Sequence, residues 1–143
     1  MAYTGGCQCG KIRFHCNAPA DHASVCYCRM CQKASGAPFM AFVSFPAAQV
    51  QWTIPPQIFA SSNQIERGFC ANCGTPLTYR ENTSQLISIT INSLDDPESA
   101  RPLVRFEANS EVSWCRTLAN LPAKEFDLTT SPDFINYQHR DSP

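Results

Sequence analysis

Three cysteines stand close together in the first quarter of the chain, at Cys26, Cys28 and Cys31, and we call them the triplet. Thiolate sulfur binds zinc well. Three protein ligands leave one position of a four-coordinate shell for water or substrate, as in catalytic zinc sites. Soft thiolates suit zinc better than magnesium or calcium, and a thiol bound to such an ion loses its proton. The triplet therefore predicts an open metal site that activates a small thiol.

Four further cysteines form a C-x-C pair and a C-x-x-C pair, and we call this set the clasp: Cys7, Cys9, Cys70 and Cys73. Structural zinc takes four ligands in a closed tetrahedron. If the triplet holds one ion, the two pairs of the clasp must combine around a second ion. Such a site would fasten the N-terminal pair to the pair in the middle of the chain. A closed site of this kind can supply roughly 10 kcal/mol or more of folding free energy.

Other interpretations of the nine cysteines remain open. Disulfides are disfavoured, because the count is odd and most cysteines stand in metal-binding pairs. Cys16 and Cys115 lack partners at ligand spacing, and Cys16 is expected in the core. A residue elsewhere in the chain could complete the shell of the triplet, or the triplet could hold no metal. Either case would make the protein a non-catalytic, zinc-stapled binding module.

The composition narrows the functional classes. The chain has 143 residues, enough for a single domain, and a formal net charge of −1. Its basic residues are scattered, so we expect no nucleic-acid partner. We find no secretory signal and no apolar run of about 20 residues, which predicts a soluble, cytoplasmic protein with no membrane role. Arg29 and Lys33, beside the triplet, could supply positive charge to an anionic substrate.

The elements that must position these cysteines are mostly short strands. Ile12, Phe14 and Cys16 alternate with polar residues, which predicts a strand with these three facing inward. The run from Phe39 to Phe45 predicts a largely buried strand, and 112–115 is expected to lie over the core. The triplet should sit where a strand leads into a short helix that stops at Ser35–Gly36. These patterns predict a mainly β domain.

The cysteine motifs closely resemble those of the glutathione-dependent formaldehyde-activating enzyme family, which includes the centromere protein V domain. The resemblance runs in register from about Thr4 to Pro122 and rests on three segments: Gly6–Gly10, Cys26–Phe39 and Phe69–Leu77. It implies a β-tent fold of packed antiparallel sheets stapled by zinc. We accordingly predict a single zinc domain over residues 1–128, and a C-terminal tail at 129–143 that is loosely held or docked on a partner.

The resemblance also implies an activity and two zinc ions per chain. The clasp would hold the structural zinc and the triplet the catalytic zinc. The family's named activity is S-(hydroxymethyl)glutathione synthesis, a carbon-sulfur lyase or synthase reaction, so the expected partners are a small thiol such as glutathione and a small aldehyde such as formaldehyde. Candidate substrate contacts are Tyr27, Arg29, Ser35 and Phe39; many relatives carry His at the position of Tyr27. The oligomeric state is left open, with a homodimer as one candidate.

Overall fold

A computed structural model describes residues 2–125 and 131–138 of the chain. These residues form two β-sheets, one α-helix and several short 3₁₀ helices, which confirms the mainly β prediction. Strands β1 to β10 are Tyr3–Gly6, Arg13–Cys16, His22–Cys26, Met40–Pro46, Val50–Trp52, Gln57–Ala60, Ile65–Phe69, Pro76–Glu81, Leu86–Thr90 and Val104–Phe106. Helix α1 is Arg29–Ser35, and the 3₁₀ helices are Ala47–Gln49, Ile91–Ser93, Pro97–Ser99, Ala108–Ser110 and Ser113–Asn120.

The smaller sheet has the strand order β1-β2-β5, and both pairings are antiparallel. Phe14 and Cys16 of its central strand, β2, and Ile12 just before that strand are all buried, as their alternation predicts. Side chains of a strand point alternately to its two faces, so one face of β2 packs inward. Cys16 is 0 % exposed and belongs to the core rather than to a metal site.

The larger sheet has the strand order β10-β3-β4-β9-β8-β7-β6. Every pairing in it is antiparallel, as the predicted antiparallel sheets require, except that of β10 with β3, which is parallel. A parallel pair requires a crossover connection. The chain therefore crosses over after β9, so that β10 pairs with β3 at one edge of the sheet. Just beyond this pairing, the backbone N–H of Tyr27 donates to the carbonyl of Phe106 at 3.0 Å.

The core lies where the two sheets face each other. Phe14 and Cys16 of the smaller sheet pack in one cluster with Val43, Phe45 and Ile89 of the larger sheet. Val43 and Phe45 lie in β4, the strand that the apolar run at 39–45 predicts, and both are 0 % exposed. Burial of such side chains contributes about 1.5–3 kcal/mol each, so this interface supplies much of the stability of the domain.

Two features of the chain differ from, or go beyond, the predictions. Strand β8, Pro76–Glu81, was not predicted because it begins inside the third cysteine motif. The expectation that 112–115 covers the core is wrong for Trp114, which is 55 % exposed. Within the tail predicted at 129–143, residues 131–138 are described and exposed, whereas the rest of that segment lies outside the described residues.

Helix α1 has the start and end that its sequence predicts. Cys28 is its N-cap, and Gly36 ends it in the left-handed conformation at φ 67°, which glycine adopts without strain. The backbone N–H of Gly36 donates to the carbonyl of Gln32 at 2.9 Å. Within the described part of the chain, no helix has the length and apolar character needed to cross a membrane.

Candidate metal centres

The clasp joins the two sheets through two of their turns. Cys7 and Cys9 lie between β1 and β2, and Cys70 and Cys73 lie between β7 and β8. All four sulfurs are within 4.8 Å of one another. The Sγ of Cys9 is 3.5 Å from that of Cys7 and 3.9 Å from that of Cys70. A tetrahedron with Zn–S bonds of about 2.3 Å has sulfur-sulfur edges of about 3.8 Å, so these four residues fit a closed zinc site.

Neutral groups hold the clasp sulfurs in place. The backbone N–H of Ile12 donates to the Sγ of Cys7 at 3.2 Å, and the amide of Asn72 donates to the Sγ of Cys9 at 3.3 Å. Burial raises the pKa of the Cys7 thiol to about 12. Burial also opposes ionisation of Cys73, but the hydroxyl and backbone N–H of Thr75 outweigh it and lower the pKa of Cys73 to about 6. The pKa values of Cys7 and Cys73 are thus shifted in opposite directions within one cluster.

The triplet lies at the corner between β3 and α1. Cys26 ends β3, Cys28 is the N-cap of α1, and Cys31 is in the first turn of the helix. A cap residue and the residue three positions later face the same side, and the backbone N–H of Cys31 donates to the Sγ of Cys28 at 3.4 Å. The three sulfurs lie within 4.8 Å of one another, so they could hold one metal ion. The predicted corner thus brings together all three residues.

The surroundings shift the pKa values of the three triplet thiols in different directions. Burial raises the pKa of Cys26 to about 12. Burial also raises the pKa of Cys31, although a hydrogen bond from Arg67 works against it. For Cys28, burial is outweighed by the backbone N–H of Cys31 and by the two neighbouring thiols, so its pKa lies below the usual value. Cys28 is therefore the one thiol of the triplet whose pKa lies below its usual value.

No fourth ligand completes the triplet among residues 2–125 and 131–138. The group of metal-binding side chains at this corner contains the three cysteines and no histidine, aspartate or glutamate of the described chain. The clasp, by contrast, contains four sulfurs at similar spacing. The division of the seven cysteines into four and three, reached from their spacing, is the division that the folded chain presents.

Arg67 is a site residue that the sequence interpretation missed. It lies in β7, is 7 % exposed, and its Nη2 donates to the Sγ of Cys31 at 3.4 Å. Its Nε donates to the Oγ of Ser61 at 3.1 Å, its Nη1 lies 3.5 Å from the Sδ of Met40, and its guanidinium lies 5.1 Å from the centre of the Tyr79 ring. The available signal was alternation, because Arg67 shares a face of its strand with Ile65 and Phe69.

A cavity of about 440 Å³ lies next to the triplet. Residues adjacent to the cysteines, rather than the cysteines themselves, form its wall. The lining includes the cations Arg67 and Lys33, the hydroxyl of Thr78, and apolar side chains such as Met30 and Phe59. A cavity of this size, mostly apolar with a few polar groups, is typical of small-molecule sites.

The four predicted substrate contacts are divided among different surroundings. Ser35 and Phe39 line a second cavity of about 490 Å³, while Arg29 lies in a third with Trp114. Tyr27 is buried, and its ring lies 5.4 Å from that of Phe39. The Oγ of Ser35 donates to the carbonyl of Cys31 at 2.9 Å. These residues surround the triplet on several sides and do not form a single wall.

Comparisons with known proteins agree with the cysteine motifs. The family model described as "Glutathione-dependent formaldehyde-activating enzyme" matches residues 2–110. An uncharacterized lyase of Schizosaccharomyces pombe is 35 % identical over 77 residues, which are 54 % of this chain and 56 % of that protein. This chain thus spans little more than half the length of that curated relative.

A solved structure resembles the fold. The crystal structure of a Rhodobacter sphaeroides protein superposes with a TM-score of 0.51 at 13 % sequence identity, covering 71 % of this chain and 98 % of the other. At this identity the likeness concerns the fold alone. The family match, by contrast, includes both cysteine clusters, since it extends from before Cys7 to beyond Cys73.

Proposed function

The chain belongs to the glutathione-dependent formaldehyde-activating enzyme family, and we propose on this basis that it is a zinc-dependent carbon-sulfur lyase or synthase. Its substrates would be small thiol-aldehyde adducts, with S-(hydroxymethyl)glutathione, formed from glutathione and formaldehyde, as the leading candidate. The Schizosaccharomyces pombe relative is named an uncharacterized lyase, which supports the reaction class. Two zinc ions per chain and a cytoplasmic location are parts of the same proposal.

One observation carries the proposal: the triplet offers three sulfurs within 4.8 Å of one another, and no fourth side-chain ligand of the described residues joins them. Closed zinc sites are structural, whereas sites with three protein ligands are typically catalytic. The clasp gives the internal comparison, because it has the same ligand type and a complete set of four. The two clusters therefore suit different roles in one domain.

The reaction needs little more than an activated thiol and a positioned aldehyde. Zinc bound at the triplet would supply Lewis acidity that favours the thiolate form of an incoming thiol. In the synthetic direction the thiol sulfur adds to the aldehyde carbon, and the proton released from sulfur ends on the aldehyde oxygen. No oxidant or reductant is consumed. The lyase direction reverses these changes.

The cavity beside the triplet supports an anionic thiol as the substrate. Lys33 and Arg67 both line it, and glutathione carries two carboxylates that a cationic wall would attract. Its apolar part, which includes Met30 and Phe59, would exclude water from the rest of the molecule. None of the candidate contacts Tyr27, Arg29, Ser35 and Phe39 lines this cavity, so their proposed role is to support the walls of the site and not to take part in the chemistry.

The proposal can be tested by nuclear magnetic resonance. Glutathione and formaldehyde combine without a catalyst, so the informative quantity is the rate of exchange between ¹³C-formaldehyde and its adduct at equilibrium. The zinc-loaded protein should accelerate this exchange. Cys28→Ser should abolish the acceleration and lower the zinc content from about two ions per chain to about one. Cys115→Ser, a cysteine outside both clusters, is the matched control and should behave as wild type.

Two results would overturn the proposal. In one, the wild-type protein fails to accelerate exchange although both zinc ions are present. In the other, Cys28→Ser is as active as wild type. The rival proposal, a non-catalytic zinc-stapled binding module, has one observation in its favour, because Cys31 is only 2 % exposed. That rival predicts no acceleration and no displacement of a ligand at the triplet by an added thiol. Its second zinc site is either closed by the protein, which gives two zinc ions per chain, or empty, which gives one.

A further inference from the structure

The side chain of Arg67 is buried without a carboxylate partner. It is 7 % exposed, and no aspartate or glutamate of the described residues forms an ion pair with it. A buried charge is costly unless another charge or a full set of hydrogen bonds compensates for it. A cation fixed at this position therefore requires an anion nearby.

The contacts of the guanidinium identify that anion. Its Nε binds the neutral hydroxyl of Ser61, its Nη1 faces the thioether of Met40, and it lies against the ring of Tyr79. The remaining contact, from Nη2 to the Sγ of Cys31, is the only one of these with a group that becomes an anion when it binds a metal. The contacts with Ser61, Met40 and Tyr79 thus fix the guanidinium so that its Nη2 faces the Sγ of Cys31.

The clasp shows that such a cation is not a general requirement of zinc-binding cysteines. Its sulfurs interact with backbone N–H groups such as those of Ile12 and Thr75, with the amide of Asn72 and with the hydroxyl of Thr75, all of which are neutral. A charged donor therefore distinguishes the triplet from the clasp. Charge-assisted hydrogen bonds are roughly twice as strong as neutral ones, so the difference is large enough to affect what the site binds.

We propose that Arg67 is the fixed counter-charge of the triplet, a positioning residue that holds Cys31 and selects an anionic fourth ligand. A divalent ion with three thiolates carries one net negative charge, and a thiolate in the fourth position adds another. Arg67 compensates one of these charges through Cys31. The first part, stabilisation of the metal-loaded triplet, stands on the contacts alone, whereas selection of an anionic ligand rests on the proposed function.

The test uses the full chain loaded with Co²⁺, whose absorption reports thiolate ligation. Arg67→Met removes the charge and the donors at similar length, and Arg101→Met, at a residue 81 % exposed, is the matched control for loss of an arginine. Release of metal to a chelator is followed for each protein, with Cys28→Ser giving the release rate of the clasp alone. Removing a second-shell partner typically costs 10–100-fold in metal affinity, so Arg67→Met should release metal from the triplet about ten-fold or more faster, with no change at the clasp.

The second measurement compares two probes that differ in charge when bound. 2-Mercaptoethanol binds as an anion, whereas imidazole binds as a neutral ligand. Their dissociation constants are read from the Co²⁺ spectrum. Arg67→Met should weaken 2-mercaptoethanol about ten-fold and leave imidazole unchanged, because only the anion interacts with the missing charge. Arg67→Lys, which keeps the charge, should restore most of the discrimination. A merely structural role would affect both probes alike.

The outcomes separate this inference from the proposed function. If wild-type protein binds neither probe, the triplet is closed and the proposed function fails, while the release measurement still decides the role of Arg67. Unchanged release from the triplet, or equal weakening of both probes, overturns the role of Arg67 and leaves the proposed function intact. Arg67→Gln, which keeps an amide donor but no charge, replaces Arg67→Met in both measurements if the latter does not fold.

Discussion

The Sγ of Cys9 lies 3.9 Å from the Sγ of Cys70, although the two residues are 61 positions apart in the chain. This contact joins a turn of the smaller sheet to a turn of the larger one. Closing a long loop is entropically unfavourable, and a metal that binds only the folded arrangement offsets that cost. The clasp is therefore expected to determine whether the domain folds, and the triplet to determine what it does.

Replacement of a clasp ligand should unfold the protein, whereas replacement of a triplet ligand should not. Cys70→Ser removes one of four ligands from a closed site, and such sites contribute roughly 10 kcal/mol or more to folding. We expect Cys70→Ser to show no cooperative thermal transition by circular dichroism, and Cys28→Ser to keep one. A Cys70→Ser variant that melts at the wild-type temperature would contradict the role assigned to the clasp.

The interface between the sheets should dominate the remaining stability. Phe45 is fully buried there, and truncation of such a side chain to alanine costs about 3–5 kcal/mol. Phe59, which is 61 % exposed on β6, is the matched control. Urea unfolding of the zinc-loaded protein should show that loss for Phe45→Ala and a change within about 0.5 kcal/mol for Phe59→Ala. Equal effects would show that the core lies elsewhere.

Gly5 should tolerate no side chain. A Cβ at this position would lie 2.2 Å from the carbonyl oxygen of Ser93 and 2.4 Å from Cζ of Phe14. Overpacking of this kind costs about 1–3 kcal/mol or more, and we expect Gly5→Ala to lie at the upper end because one neighbour is backbone. Gly36→Ala meets no atom within 4 Å and adds only left-handed strain, about 1 kcal/mol. Denaturant unfolding would measure the free energy of unfolding of both variants. A larger loss of that free energy for Gly36→Ala than for Gly5→Ala refutes this explanation.

Gln32 should hold the late part of the chain against the triplet. Its amide donates to the carbonyl of Tyr27 at 2.9 Å in a buried bond and to that of Ser110 at 3.0 Å in a partly buried one. Gln32→Ala leaves the buried carbonyl of Tyr27 without this partner, which costs about 1–3 kcal/mol. Hydrogen exchange at the Tyr27 amide, which donates to Phe106, should accelerate. The exposed neighbour supplies the control, because Lys33→Ala should leave this exchange rate unchanged.

Much of the local structure could be predicted because its signals are short in range. Helix α1 was expected from its composition and its terminal glycine, and the inward face of β2 from alternation of Ile12, Phe14 and Cys16. The grouping of seven cysteines into four and three followed from ligand number alone. The spacing of a metal motif strongly constrains how its ligands are arranged, so the grouping of the cysteines was easier to predict than the arrangement of the strands.

The remainder depends on contacts between distant segments. Alternation along β7 places Arg67 on the face of Ile65 and Phe69, but only the folded chain shows that its guanidinium reaches Cys31. An arginine is exposed in most proteins, so the alternation alone did not identify it. The parallel pairing of β10 with β3 likewise depends on where the chain returns after β9. Strand β8 was missed because Pro76, inside a cysteine motif, is its first residue. Of these elements, β7 carries Arg67, and residues of both β7 and β8 line the cavity.

The most direct test of two different metal sites is a crystal structure with anomalous scattering measured at the zinc absorption edge. We predict two zinc ions per chain. One should be held by all four sulfurs of the clasp, and the other by the triplet with a fourth ligand that does not come from the protein. A single ion, or a side chain of the protein in the fourth position at the triplet, would contradict the proposal.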